Sequence, residues 1–245
     1  EEGKKIRKAF IPSTNGYLLS SDYSQIELRV LAHISSSDSL KNAFIHGEDI
    51  HTHVASDIFG IRESEVTPNQ RRTAKAVIFG IVYGISGYGL GENLDISASE
   101  AKKYIDKYLT LYPEVNNYMK NIVEEAKKTG EVRTLFNRKR EIEELKNTNY
   151  MIRAMGERMA LNTPIQGTAA DILKMAMVKL HNILKEKNLK TKMLLQVHDE
   201  LIFDVPEDEI EEVKEIVRDT MENIYKLDVP LKVEINYGKD WYEAK

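Results

Sequence analysis

Apolar positions along this chain recur at two periods. Residues 16–21 read as a short strand that ends at Asp22. Over 25–33 the apolar residues Ile26, Val30 and Ile34 switch to helical spacing. Thr67-Pro68 predicts a helix start, with Thr as cap and Pro at the first position, and the helix runs to Tyr83, where Gly84 suits the stop. Gly87, Gly89 and Gly91 read as a loop; no strand precedes them, so turn chemistry fits better than a phosphate cradle. Amphipathic helices are expected over 97–111 and 113–129. Residues 133–150 are polar and irregular, a hairpin or a loop. A long periodic helix is expected over 169–184. Strands at 193–197 and 201–205 flank His198-Asp199-Glu200 as a hairpin. An acidic surface helix over 207–225 and a strand at 231–235 complete the series.

The order is strand and helix, a helical middle, then hairpin, helix and strand. It predicts an α+β fold with a small antiparallel sheet and a helical insertion. Strands come from both ends of the chain, so the ends should share one subdomain and the middle should form another.

Composition narrows the function classes. The 245 residues include 35 basic and 39 acidic side chains, a net charge of −4 that does not by itself announce a nucleic-acid binder. Residues 204–223 hold nine acidic and two basic residues, so the rest of the chain is slightly basic. Basic groups collect at Arg71, Arg72 and Lys75 and again at Arg133, Arg138, Lys139 and Arg140; taken alone, such runs read as solvated faces. There is no cysteine, which excludes disulfides and thiolate-bound metals. No apolar run approaches the roughly 20 residues of a membrane span. The N-terminus has no initiator Met and no signal-peptide core, and reads as the interior of a longer gene.

Asp22 at a strand end and Asp199 at a hairpin tip are each ordinary alone. On adjacent antiparallel strands they could converge. Hard carboxylates without cysteine suit Mg²⁺, and two such ions would clamp the attacking and leaving oxygens of a phosphoryl transfer. The helix from Pro68 supplies a complement. At about 100° per residue, Arg71, Lys75, Phe79 and Tyr83 share one face, and Ala74, Val77, Ile78 and Ile81 lie opposite. Two cations and then two rings suit a nucleoside triphosphate. The same spacing also describes an amphipathic helix with snorkelling cations. His46, His51 and His53 have no evident acidic cage; a phosphate donor fits better than a metal site.

Three long segments then become recognisable. Asp22-Tyr23-Ser24-Gln25-Ile26-Glu27-Leu28-Arg29 resembles motif A of family A DNA polymerases. Arg71-(x3)-Lys75-(x3)-Phe79-Gly80-(x2)-Tyr83-Gly84 resembles motif B, and Gln196-Val197-His198-Asp199-Glu200-Leu201 resembles motif C. Residues 162–171 also resemble the segment between B and C. The resemblance implies a palm over 1–34 and 151–245 with fingers over 35–150. It implies that Asp22, Asp199 and the Tyr23 carbonyl hold two Mg²⁺ ions, for which Mn²⁺ can substitute. It assigns the triphosphate to Arg71, Lys75 and His51, the sugar and base to Phe79 and Tyr83, a steric gate against a ribose 2′-OH to Glu27, and a further nucleotide contact to Gln25. Lys75 is the candidate proton donor to pyrophosphate, and Glu200 lies near the primer end. Arg158, Asn162, Gln166, His198, Arg29 and Arg140 are the implied primer–template contacts.

The implied activity is DNA-templated addition of deoxynucleotides to a primer 3′-OH, in the bacterial cytoplasm or an organelle. Two departures stand out. Ile78 occupies the place where the family usually has Asn, and 138–143 lacks the usual basic-then-Pro pattern. The family's thumb and exonuclease-type regions would lie elsewhere on the gene or on another chain. A fragment that binds nucleotide or DNA without turnover is therefore the alternative.

Overall fold

A computed structural model describes residues 2–13 and 15–245. The chain divides into two compact units, Glu1–Ile26 with Ala170–Lys245 and Glu27–Ala169. Both boundaries fall inside helices, α1 (Ile26–Ser35) and α8 (Tyr150–Glu186). No helix among the described residues is long and apolar enough to cross a membrane.

The first unit is built on a four-stranded antiparallel sheet. Its strands are β1 (Gly16–Tyr23), β4 (Lys192–Val197), β5 (Glu200–Pro206) and β6 (Val233–Gly238), in the order β4-β5-β1-β6. The small antiparallel sheet expected from both chain ends is thus present. Leu19 and Tyr23 of β1 and Leu201, Phe203 and Val205 of β5 alternate onto one buried face. Helix α9 (Ile210–Glu222) packs on this sheet through Val213, Val217 and Met221. The Tyr23 hydroxyl ties the two layers by donating to the Met221 carbonyl at 2.7 Å. Acidic residues occupy the exposed positions of α9, as the sequence predicts. The helix proper is shorter than 207–225, because Glu207–Glu209 forms a separate 3₁₀ turn. The last strand begins two residues later than expected.

The second unit is helical. It holds α2 (Asp38–His46), α3 (Ile50–Phe59), α4 (Pro68–Val82), α5 (Gly87–Leu94), α6 (Ala98–Leu111) and α7 (Pro113–Thr129). The two-stranded hairpin β2 (Glu131–Arg133) and β3 (Lys139–Glu141) begins two residues before the stretch 133–150 that reads as hairpin or loop. The predicted start of α4 is built as a capping box: Thr67 Oγ1 accepts the Gln70 N–H at 3.3 Å, and Gln70 Oε1 accepts the Thr67 N–H at 2.9 Å.

Two expectations need correction. The segment from Gly87 is helix α5, capped by Ser86, and not a loop. Its glycines serve close packing: a Cβ on Gly91 would sit 2.8 Å from the Ile96 carbonyl oxygen and 3.3 Å from the Ala98 nitrogen. Gly91→Ala is a direct check. Helix propensity alone favours Ala by about 1 kcal/mol. The neighbours here are backbone and cannot swing away, so a net destabilisation of ~1–2 kcal/mol is expected in denaturant unfolding. A stabilised variant would show that α5 tolerates a looser fit.

The second correction concerns α8. It begins at Tyr150, not Ala169, and runs through Pro164. Its inward stripe at Gly156, Ala160, Pro164 and Thr168 is buried at i, i+4 spacing. That periodicity is carried by small and polar residues, so a hydrophobic pattern does not reveal it.

Candidate active site

The first unit gathers acids at one end of the sheet. Antiparallel register puts Asp22 opposite Glu200 of β5 on one side and Glu234 of β6 on the other. Directly opposed residues share a face, so three carboxylates lie abreast across three strands, an arrangement that opposes folding. Asp199 immediately precedes Glu200, and its carbonyl accepts the Tyr23 N–H at 3.4 Å. The backbone is unusual on both sides of this cluster. Gln25 at the β1–α1 turn and His198 at the β4–β5 turn each have φ of 55°, left-handed values seldom adopted by residues with a Cβ.

Electrostatics follow from this crowding. Burial raises the Asp22 carboxyl pKa, the Lys245 charge works against that, and Glu200, Asp199 and Glu234 add to the rise. The cluster offers only hard oxygen donors and an excess of negative charge beside Asp22. It therefore fits a divalent cation of the Mg²⁺ type. The Tyr23 side chain is in the core, so only its backbone carbonyl is available as a further ligand.

Glu200 is placed otherwise than a substrate contact requires. It is 1% exposed and accepts from the Ser20 hydroxyl at 2.7 Å, from Trp241 Nε1–H at 3.2 Å and from Lys245 Nζ. Burial would raise its pKa, but these donors outweigh burial and lower it. Glu200 thus braces the sheet end beside Asp22. The sequence holds no signal for Trp241 and Lys245 as its partners, because they lie some 40 residues downstream in an irregular tail.

The second unit gathers cations and rings along α4. Arg71 and Lys75 are exposed, and Lys75 Nζ lies 6.0 Å from the Phe79 ring centroid. Phe79 and Tyr83 stack at 6.4 Å, and the His51 ring lies 5.9 Å from Phe79. Ile78 is 1% exposed on the opposite, aliphatic face. The Tyr83 hydroxyl donates to Glu27 Oε2 at 2.8 Å. Gly84, with φ of 65°, ends the helix and packs against the Arg158 stem.

His51 is 3% exposed, and its Nδ1 is buried without a hydrogen-bond partner. Burial, only partly offset by the charge of Asp49, lowers its pKa from 6.5 to about 4. A depressed imidazole pKa means that the unfolded chain takes up its proton first on acidification. The stabilisation from neutral His51 is present above pH 6.5 and lost as pH falls toward 4, on the order of 3 kcal/mol. His51→Gln should flatten that part of the stability–pH curve. An unchanged slope would place the titration elsewhere.

The remaining implied residues are scattered along this unit. Asn162 is half-buried with Nδ2 unpartnered, Gln166 and Arg158 are exposed, and Arg140 donates to the Thr163 hydroxyl at 3.0 Å. Arg29 is 7% exposed with its guanidinium 4.5 Å from the Phe44 ring centroid, which is core packing and not a surface phosphate contact. Nearby basic groups are also engaged: Arg133 pairs with Glu131, and Lys139 pairs with Glu131 and Glu141. His53 does have the acidic cage that the sequence hides. Its Nδ1 lies 2.9 Å from Glu63 and 3.4 Å from Glu48, so these three side chains converge on one point.

A family model described as DNA polymerase family A matches residues 1–243. The chain belongs to DNA polymerase family A. This family A chain is 56% identical to DNA polymerase I of Lactococcus lactis subsp. cremoris (strain MG1363) and 54% identical to DNA polymerase I of Bacillus caldotenax. Both alignments cover the whole chain but only 28% of each relative's length. Among solved structures it is similar to the POL domain of Pol1 from M. smegmatis in complex with DNA primer-template and dNTP. The TM-score is 0.95 at 44% identity, covering 100% of this chain and 43% of that one.

Proposed function

We propose that this chain is the nucleotide-adding core of a DNA-directed DNA polymerase, with residues 1–34 and 151–245 as palm and 35–150 as fingers. The observation that carries the reading is that one family A chain holds both an acid cluster, in which the Asp199 charge acts on Asp22, and a cation–ring face at Arg71, Lys75, Phe79 and Tyr83. Asp22, Asp199 and the Tyr23 carbonyl would hold two Mg²⁺ ions, or Mn²⁺ in their place. When bound, these ions supply positive charge to the oxygens of an in-line phosphoryl transfer.

The chain's own side chains do the rest. Arg71 and Lys75 bind the triphosphate of a deoxynucleotide, helped by their place in the N-terminal half of α4. His51, neutral at pH 7, offers a hydrogen bond without adding charge. Phe79 and Tyr83 present ring faces to sugar and base. Lys75 is the side chain best placed to give a proton to departing pyrophosphate. Gln25, held with positive φ within motif A, contributes to the nucleotide side. Arg158, Asn162, Gln166, Arg140 and His198 contact primer–template. Glu200 and Arg29 act as braces. Each turnover joins the primer 3′-OH to the α-phosphorus and releases pyrophosphate. Base choice rests on template pairing.

Primer extension on this chain tests the reading: template-directed single additions with pyrophosphate release are expected. Since the chain spans 28% of its relatives' length, a second reading is a fragment that binds nucleotide or DNA without turnover. Nucleotide binding with no extension would favour it. Duplex binding should have a shallow salt slope, since each contacted phosphate contributes roughly 0.9 to the slope and several basic groups are already paired. A steep slope would reveal a DNA-gripping surface beyond these residues.

A further inference from the structure

Arg71 and His51 share one anchor. Arg71 Nε–H donates to Asp49 Oδ2 at 2.5 Å. The same carboxylate caps α3: Oδ1 accepts the His51 N–H at 3.1 Å, and Oδ2 accepts the Thr52 hydroxyl at 2.8 Å. Asp49 therefore joins the start of α3, which carries His51, to the N-terminal turns of α4, which carry Arg71. Burial pushes the Asp49 carboxyl up, but hydrogen bonds from Arg71, Thr52 and the His51 backbone prevail and hold it at about 2. It is fully charged at neutral pH.

The contact is selective about which part of the guanidinium it uses. Arginine offers Nε and two terminal nitrogens in one rigid plane. Asp49 takes Nε, which leaves the two terminal nitrogens as a fork for an anion. Both side chains are accessible, at 45% for Arg71 and 37% for Asp49.

We propose that Asp49 is a positioning residue: it grips Arg71 through Nε so that the two terminal nitrogens face the triphosphate of an incoming deoxynucleotide. This rests on the reading above, in which Arg71 binds that triphosphate. The proposal fixes a sign that simple charge does not. A carboxylate beside a triphosphate repels it, so by Coulomb's law alone deleting Asp49 would tighten binding. If Asp49 orients Arg71, deleting it weakens binding, because a free arginine must give up its rotamer freedom when it binds.

Two variants separate these effects from damage to the fold. Asp49→Ser keeps a good cap for α3 but cannot reach Arg71. Asp49→Asn keeps both cap and reach while losing the charge. Titration calorimetry of the chain with a deoxynucleoside triphosphate should show about tenfold weaker binding for Asp49→Ser and a smaller loss for Asp49→Asn. In an Arg71→Ala background, Asp49→Ser should cause no further weakening. The Arg71 Hε proton resonance should move upfield in Asp49→Ser, reporting release of Nε without reference to nucleotide. Tighter binding by Asp49→Ser, an equal tenfold loss without Arg71, or an unmoved Hε resonance would overturn the proposal. If the unaltered chain binds no deoxynucleoside triphosphate, the polymerase reading itself fails and takes the proposal with it.

Discussion

Asp22→Asn should lower template-directed nucleotide addition about a thousandfold while leaving the chain folded and slightly more stable. On the proposed reading, the loss follows from removing a metal-binding charge at the point where charge would develop during phosphoryl transfer. The gain has a separate origin. Asp22 lies abreast of Glu200 and Glu234, and burial with like charge raises its pKa. A carboxyl raised in the folded state weakens the fold once it ionises, so this cost is present above the ordinary carboxylate pKa and fades as pH falls. Asn has nearly the same shape and no charge, so it removes the cost. Thermal unfolding at pH 7 should give a higher Tm for the variant, and the difference should shrink in acid. Asp199→Asn should lose activity to a similar degree. Near-normal turnover in either variant would remove the two-aspartate assignment. A lower Tm for Asp22→Asn would mean that the acid row is held by partners that compensate for its charge.

That trade of stability for chemistry bears on what the sequence can disclose. Asp22 and Asp199 are legible because strand periodicity places one at a strand end and the other at a hairpin tip, and β pairing fixes what stands opposite. The cation–ring face of α4 is legible because a cap, a proline and a 3.6-residue repeat define the helix completely. Legibility stops where burial is carried by small residues. The stripe through Gly156, Ala160 and Pro164 hides the first half of α8, and close approach to Gly91 turns an apparent glycine loop into α5. It also stops at contacts between residues distant in sequence. Nothing local to Asp49 indicates that it will meet Arg71, and nothing local to Glu200 foretells Trp241 and Lys245. The same limit applies to exposure: Arg29 belongs to a strong motif, yet its guanidinium packs on Phe44.

Glu27→Ala should weaken discrimination against ribonucleotides about a hundredfold, through loss of both volume and an occupied hydrogen bond. Glu27 sits in the first turn of α1, and its Oε2 accepts the Tyr83 hydroxyl at 2.8 Å. The carboxylate is therefore held by a ring that itself stacks on Phe79. On the proposal that Glu27 gates the sugar, a ribose 2′-OH entering beside it would have to displace a tethered side chain and break the Tyr83–Glu27 hydrogen bond. Truncation to Ala removes both obstacles at once. Tyr83→Phe separates them. It keeps the ring and the volume of Glu27 but removes the tether, so the carboxylate can swing aside at the cost of its own solvation alone. Its discrimination should fall by only about fivefold, since one hydrogen bond is lost while the steric block persists in part. The measurement is the ratio of incorporation rates for one deoxynucleotide and its ribonucleotide counterpart, opposite the same template base. Equal ratios for the unaltered chain and Glu27→Ala would take Glu27 out of the gate. A loss in Tyr83→Phe as large as in Glu27→Ala would mean that the tether, and not the bulk of the carboxylate, excludes the 2′-OH.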